Sequence, residues 1–136
     1  MDKRGRDELR HTFGMAEGDI ARVSPRIVAA LPRLPAWQRC RIVAQVTESQ
    51  YCLGGLEAGH RFVFDGGMLN TAESTAPLCL RALAPLAWYV ELAFDRIMDG
   101  RDPNAILIST AQCMDPGLEG GGVGNVKFRL YAQEVP

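Results

Sequence analysis

The chain lacks any excess of charge: 15 Lys and Arg against 16 Asp and Glu leave a net charge of −1. So balanced a surface offers no general attraction to nucleic acid or to an anionic membrane. It also lacks a long apolar run. The most apolar stretch, residues 82–90, is interrupted by Pro85 and stops at Glu91, and the first residues, MDKRGRDELRHTFG, carry charges where a secretory leader needs an apolar core. Neither a membrane span nor an export signal is expected, and a cytoplasmic location is. Repeats and low-complexity segments are missing apart from Gly120–Gly122 and Gly124, and histidine is limited to His11 and His60. No two cysteines or histidines sit at the spacing of about two to four residues that lets one turn hold two zinc ligands.

What is present suits one domain. A chain of 136 residues can bury a core without disulfides or metal to hold it together. In a reducing compartment Cys40, Cys52, Cys79 and Cys113 read as free thiols, metal ligands or redox groups, not as a disulfide frame.

Residues 1–38 read as an N-terminal helical extension. Residues 6–15 and 17–32 carry helical spacing through Ile20, Val23, Ile27 and Leu31, with a break near Ser24, where Ser-Pro resembles an N-cap followed by proline at the first helical position. Pro32 and Pro35 make LPRLPAW a connector. From Arg39 the period becomes two: Cys40, Ile42, Ala44 and Val46 form the buried row of a strand. A second strand covers 61–65, with Phe62 and Phe64 on one face, and Gly66-Gly67 ends it. The segment 77–98, PLCLRALAPLAWYVELAFDRIM, is apolar around most of its circumference, so it predicts a helix buried on most sides and kinked or split at Pro85. Part of its surface is expected to meet another chain. Strands over 105–111 and 126–132 flank the loop QCMDPGLEGGGVGN and predict an antiparallel pair. Residues 39–136 are thus expected to form a single α+β domain, a small mostly antiparallel sheet in the order β-β-α-β-β with the kinked apolar helix packed on it.

Cys52, His60, Cys79 and Cys113 are the residues on which chemistry could rest. Three thiols and an imidazole are the donor types of a zinc or iron-sulfur site, and each cysteine stands at a junction between elements, where sites gather. The competing reading is that free cysteines fill cores as small apolar side chains. A reactive thiol is the third reading. Cys79 is then the favoured nucleophile, since the amides of a first helical turn stabilise a thiolate, and His60 the available base. The loop 117–125 is rich in glycine but leads into a strand, so it reads as a hairpin connection able to close over a ligand, not as a phosphate-binding loop. Asp115-Pro116-Gly117 is explained by turn chemistry.

From residue 41 to 136 the series Cys52, Gly59-His60-Arg61-Phe62, Cys79-x-x-Ala82-x-x-x-Pro85, Cys113-x-Asp115 and Val126-x-Phe128-x-Leu130 resembles a family of small, uncharacterised bacterial and archaeal cytoplasmic proteins. That family has a cysteine before a Gly-x-x-Phe turn, a Cys-Pro-x-Ala helix start with a proline one turn on, and a Cys-Pro-Asp segment before the last strand. Leu80 and Met114 stand where the family tends to have the prolines that follow its cysteines. The resemblance implies weight on Cys52, Cys79 and Cys113 but no reaction.

Two functions follow as expectations. One is a small accessory or subunit protein that self-associates as a homo-oligomer or docks on a larger enzyme through its apolar helix, with a Cys/His site able to hold a metal. The other is a small enzyme with Cys79 or Cys113 as nucleophile and His60 as base.

Overall fold

The computed structural model describes residues 1–136. It is an α+β fold built on one five-stranded antiparallel sheet. Four short helices come first: α1 (Lys3–Thr12), α2 (Glu17–Ile20), α3 (Pro25–Ala30) and α4 (Leu34–Gln38). Ser24 caps α3, its Oγ accepting from Ile27 N at 3.4 Å, with Pro25 at the first helical position as expected. LPRLPAW is not a plain connector, however. It forms a 3-10 turn over Leu31–Arg33 and then α4, because each proline falls in a first turn, where its missing N–H has no intrahelical partner to lose. Leu9, Ile20 and Leu31 pack into a small cluster of their own beneath these helices. Trp37 ties the extension to the rest, meeting the ring of Phe94 edge-on at 5.1 Å.

The sheet contains β1 (Cys40–Gln50), β2 (Arg61–Asp65), β3 (Met68–Leu69), β4 (Thr110–Gln112) and β5 (Asn125–Glu134), in the order β3-β2-β1-β5-β4. The long strands β1 and β5 lie side by side at its centre, Ile42 opposite Ala132 and Ala44 opposite Leu130. Alternation along β1 sends Cys40, Ile42, Ala44 and Val46 to one face, where Phe62 and Phe64 of β2 and Val126, Phe128 and Leu130 of β5 join them. Gly66 and Gly67 do more than end β2: both take positive φ and form the two-residue turn of a hairpin into β3, a backbone that side-chain-bearing residues resist. On the other face Arg41 grips Asp65 with two hydrogen bonds of 2.7 and 3.0 Å.

The segment around Pro85 splits as anticipated, into α5 (Leu80–Leu83), a 3-10 turn over Ala84–Leu86, and α6 (Ala87–Met98). Ala82, Leu86, Tyr89, Ala93 and Ile97 recur every three or four residues and lie on the sheet as one buried stripe, each large member gaining roughly 1.5–3 kcal/mol from burial. Burial is limited to that stripe. Leu80, Trp88 and Leu92 remain exposed on the sides expected to be covered.

The strand expected over 105–111 is shorter. Pro103–Ala105 form a 3-10 turn, and β4 pairs with β5 only at Thr110–Gln112. Asn104 supplies the reason: its side-chain amide donates to Ala132 O at 2.9 Å and accepts from Ala132 N at 2.8 Å. It does for β5 what a backbone partner would.

Candidate functional site

At the far end of the β1–β5 pair the ladder becomes irregular and a cavity of about 620 Å³ opens. The irregularity starts with a register shift between Val46 and Glu48, where Thr47 bulges out and its Oγ1 donates to Lys127 O at 3.3 Å. Just past the strand, Tyr51 takes φ 48, the only positive φ outside glycine. The chain can turn there because Gly124 passes directly beneath: a Cβ on Gly124 would stand 2.6 Å from Tyr51 O. This crossing swings the next residue, Cys52, off the sheet and into the cavity wall.

Loop 51–60 is pinned near both ends. Ser49 Oγ donates to Leu56 O at 2.6 Å, Leu56 is buried in the main core, and Gly59 N and Val46 N close the loop through bonds to Val46 O and His60 O. Opposite it stands Cys79, half-buried, the residue preceding α5. Its backbone is extended and its carbonyl accepts from Ala82 N and Leu83 N, while its side chain caps nothing. Cys79 therefore precedes the first helical turn instead of lying within it, and α5 has only four residues.

Cys113, just beyond β4, completes the set. Its main-chain N–H donates to Val126 O at 2.9 Å, its Sγ accepts from Val126 N at 3.3 Å, and its S–H donates to Asp115 O at 3.6 Å. This thiol extends the β4–β5 ladder by one position. Met114 N bonds to Arg81 O at 3.1 Å and so fastens the Cys113 segment to α5.

The glycine-rich loop is ordered by Asp115. Its carboxylate accepts from Gly117 N, Val123 N and Gly124 N at 2.9–3.1 Å. The amides of Gly117 and Gly124 hold this carboxyl below its ordinary value, with lesser help from Val123 and the Arg81 charge and against some desolvation. Arg81 lines the cavity and has no ion-pair partner. Asn125, also in the wall, spends its Nδ2 on Gln112 Oε1 at 3.5 Å and leaves its buried Oδ1 without a partner.

Comparison with known proteins matches no family model, no curated protein and no solved structure. The site therefore rests on its own geometry.

Of the four residues expected to act together, three line this cavity: Cys52, Cys79 and Cys113. His60 is not among the lining residues. Its Nδ1 accepts from Glu57 N at 2.9 Å, the structural bond of a histidine that closes a turn. No group of three or more His, Cys, Asp and Glu side chains is arranged to hold a metal ion. Thiolate donors suit zinc or iron, but these side chains are not arranged to hold one. Cys40 is set apart from the other thiols. It belongs to the core, and burial, with a smaller effect of Asp65, pushes its thiol up to about 11. Arg81, Asn125 and the Tyr51–Gly124 crossing leave no signal in the sequence, whereas Asp115 reads there as turn chemistry, which its bond from Gly117 N bears out and its bonds from Val123 N and Gly124 N extend. Only the Asp-Pro-Gly turn ahead of the glycines hinted at an organised loop.

No helix is long and apolar enough to cross a membrane.

Proposed function

We propose that this chain is a small accessory protein whose working site is the cysteine-lined cavity, where it takes up a compact, mostly apolar ligand and offers it thiols. One observation carries the reading: Cys52, Cys79 and Cys113, far apart in sequence, meet at one cavity whose wall is mostly apolar. Apolar surface supplies affinity, and the few polar groups, Arg81 and the thiols, supply orientation and chemistry. An accessory role suits this site better than a self-sufficient hydrolase does, because the imidazole expected as base serves the turn at Glu57 and the Asp115 carboxylate serves the loop.

Cys40 provides an internal reference for the test. In the native protein at neutral pH, iodoacetamide followed by peptide mass spectrometry is expected to label Cys52 and Cys79 at least tenfold faster than Cys40, on the order of what burial and a raised thiol pKa produce. Equal rates, or labelling of all four only on unfolding, would remove the cavity as a working site. Metal analysis of anaerobically purified protein is expected to find no stoichiometric zinc or iron; a bound metal would replace the apolar-ligand reading with a metal site.

Self-association or docking on a larger enzyme belongs to the same proposal. Leu80, Trp88 and Leu92 leave apolar surface on α5 and α6 beside the buried stripe, and Leu107 and Ile108 are exposed as well. A mass above the monomer in light scattering, lowered by Leu92→Glu, is the expected outcome. A stable monomer at high concentration would count against self-association.

A further inference from the structure

The three cavity thiols are not equivalent. Cys113 is engaged on both sides, accepting from Val126 N and donating to Asp115 O. Cys52 and Cys79 make no side-chain hydrogen bond, and both line the cavity beside Gly54. The point a Gly54 Cβ would occupy is 3.6 Å from Leu56 Cδ1, 3.8 Å from Cys52 Sγ and 3.9 Å from Cys79 Cβ, so both cysteine side chains border the space that a methyl group on Gly54 would fill. The turn that carries Cys52 is also built to give. It contains Gly54 and Gly55, holds a single turn bond from Gly55 N to Cys52 O at 3.2 Å, and bears the fully exposed Leu53 at its tip. A disulfide needs Cβ atoms about 3.5–4.5 Å apart, and movement of the Cys52 turn into the open space beside Gly54 would bring the pair toward that range.

We propose that Cys52 and Cys79 form a redox dithiol that exchanges with low-molecular-weight disulfides at the cavity mouth. This rests on the cavity being the working site and adds an activity to it. One cysteine thiolate attacks the small disulfide, forming a mixed disulfide and releasing one thiol. The second cysteine thiolate then attacks the protein sulfur of that mixed disulfide, forming the Cys52–Cys79 bond and releasing the second thiol. Two protein thiols are oxidised, one disulfide is reduced to two thiols, and the two protons leave with the departing sulfurs. The closed bond ties loop 51–60 to the start of α5 and narrows the cavity between them. Cys113 takes no part, since the β4–β5 ladder holds its sulfur.

The test uses the full chain and oxidised glutathione. After incubation near neutral pH, non-reducing peptide mapping is expected to show a Cys52–Cys79 link within one chain and two glutathione thiols released per link. In the same map the Cys113 peptide is expected to stay in the free-thiol form, because Val126 N and Asp115 O engage its sulfur on both sides. Cys79→Ser is expected to stop at a mixed disulfide on Cys52. Gly54→Ala is the decisive variant. Gly54 has no positive φ and a Cβ there makes only ordinary contacts, so the fold should survive, but the methyl touches both cysteine side chains and should slow closure by about tenfold. Any link made through Cys113, mixed disulfides that never close, or closure in Gly54→Ala at the wild-type rate would overturn the proposal. Rapid alkylation of Cys52 and Cys79 without closure would leave the cavity reading standing and remove only the exchange; slow alkylation of both would remove the two together.

Discussion

At the start of β1, Cys40 is held in the main core by a regular ladder, opposite Glu134 of β5. Two residues past the other end of the same strand, Cys52 lines a cavity, after a bulge, a strained Tyr51 and a glycine crossing. Residue type and strand are shared, and the setting differs. Side chains packed on every side make the first thiol a small apolar group with its pKa raised. An interrupted ladder makes the second a free group on a loop. In this molecule the chemistry of a thiol is set by whether the ladder around it continues.

The two ends of β1 should differ most visibly in stability. Ile42, fully buried two residues into β1, packs among the helix stripe and both neighbouring strands. Ile42→Ala is expected to cost about 2–5 kcal/mol, from lost burial plus the cavity left behind. Leu53, at the opposite end and fully exposed, should change stability by less than about 0.5 kcal/mol when cut to alanine. Urea unfolding of the two variants measures both. Comparable losses would mean that the cavity end is as firmly packed as the core end, against the contrast drawn here.

That contrast was only half legible in the sequence. The regular end was visible because alternation at 40, 42, 44 and 46 and again at 62 and 64 reports a buried face directly, and Ser24-Pro25 and Pro85 act through rules local to the chain. The irregular end depends on contacts between distant segments. Gly124 beneath Tyr51 and Asp115 reaching ahead to the amides of Val123 and Gly124 have no period to betray them. Asn104 replaced a strand by a side-chain amide, so the β-like composition of AILISTA overstated the length of β4. The cysteines do stand at junctions between elements, but nothing local in the sequence says that three junctions meet and that His60 stays with its own turn.

A smaller effect is expected in the glycine-rich loop. Three amides bound to Asp115 do for residues 115–124 what the ladder does for β5, and they bind most strongly while the carboxylate is charged. Because its folded pKa lies below the ordinary 3.8, its contribution to order is fully present above that value and is lost as pH falls through the lowered folded value. The amide resonances of Gly117, Val123 and Gly124 are therefore expected to titrate together with a midpoint under 3.8, while amides of the regular end, such as Ile42 and Ala44, stay still through the same range. Asp115→Asn should abolish that common titration and speed hydrogen exchange at Val123 and Gly124 at neutral pH, with the β1–β5 ladder unchanged. A midpoint at or above the ordinary value, or exchange unaltered by the substitution, would mean that the loop holds its shape without the carboxylate, and that the cavity end owes its order to the Tyr51–Gly124 crossing alone.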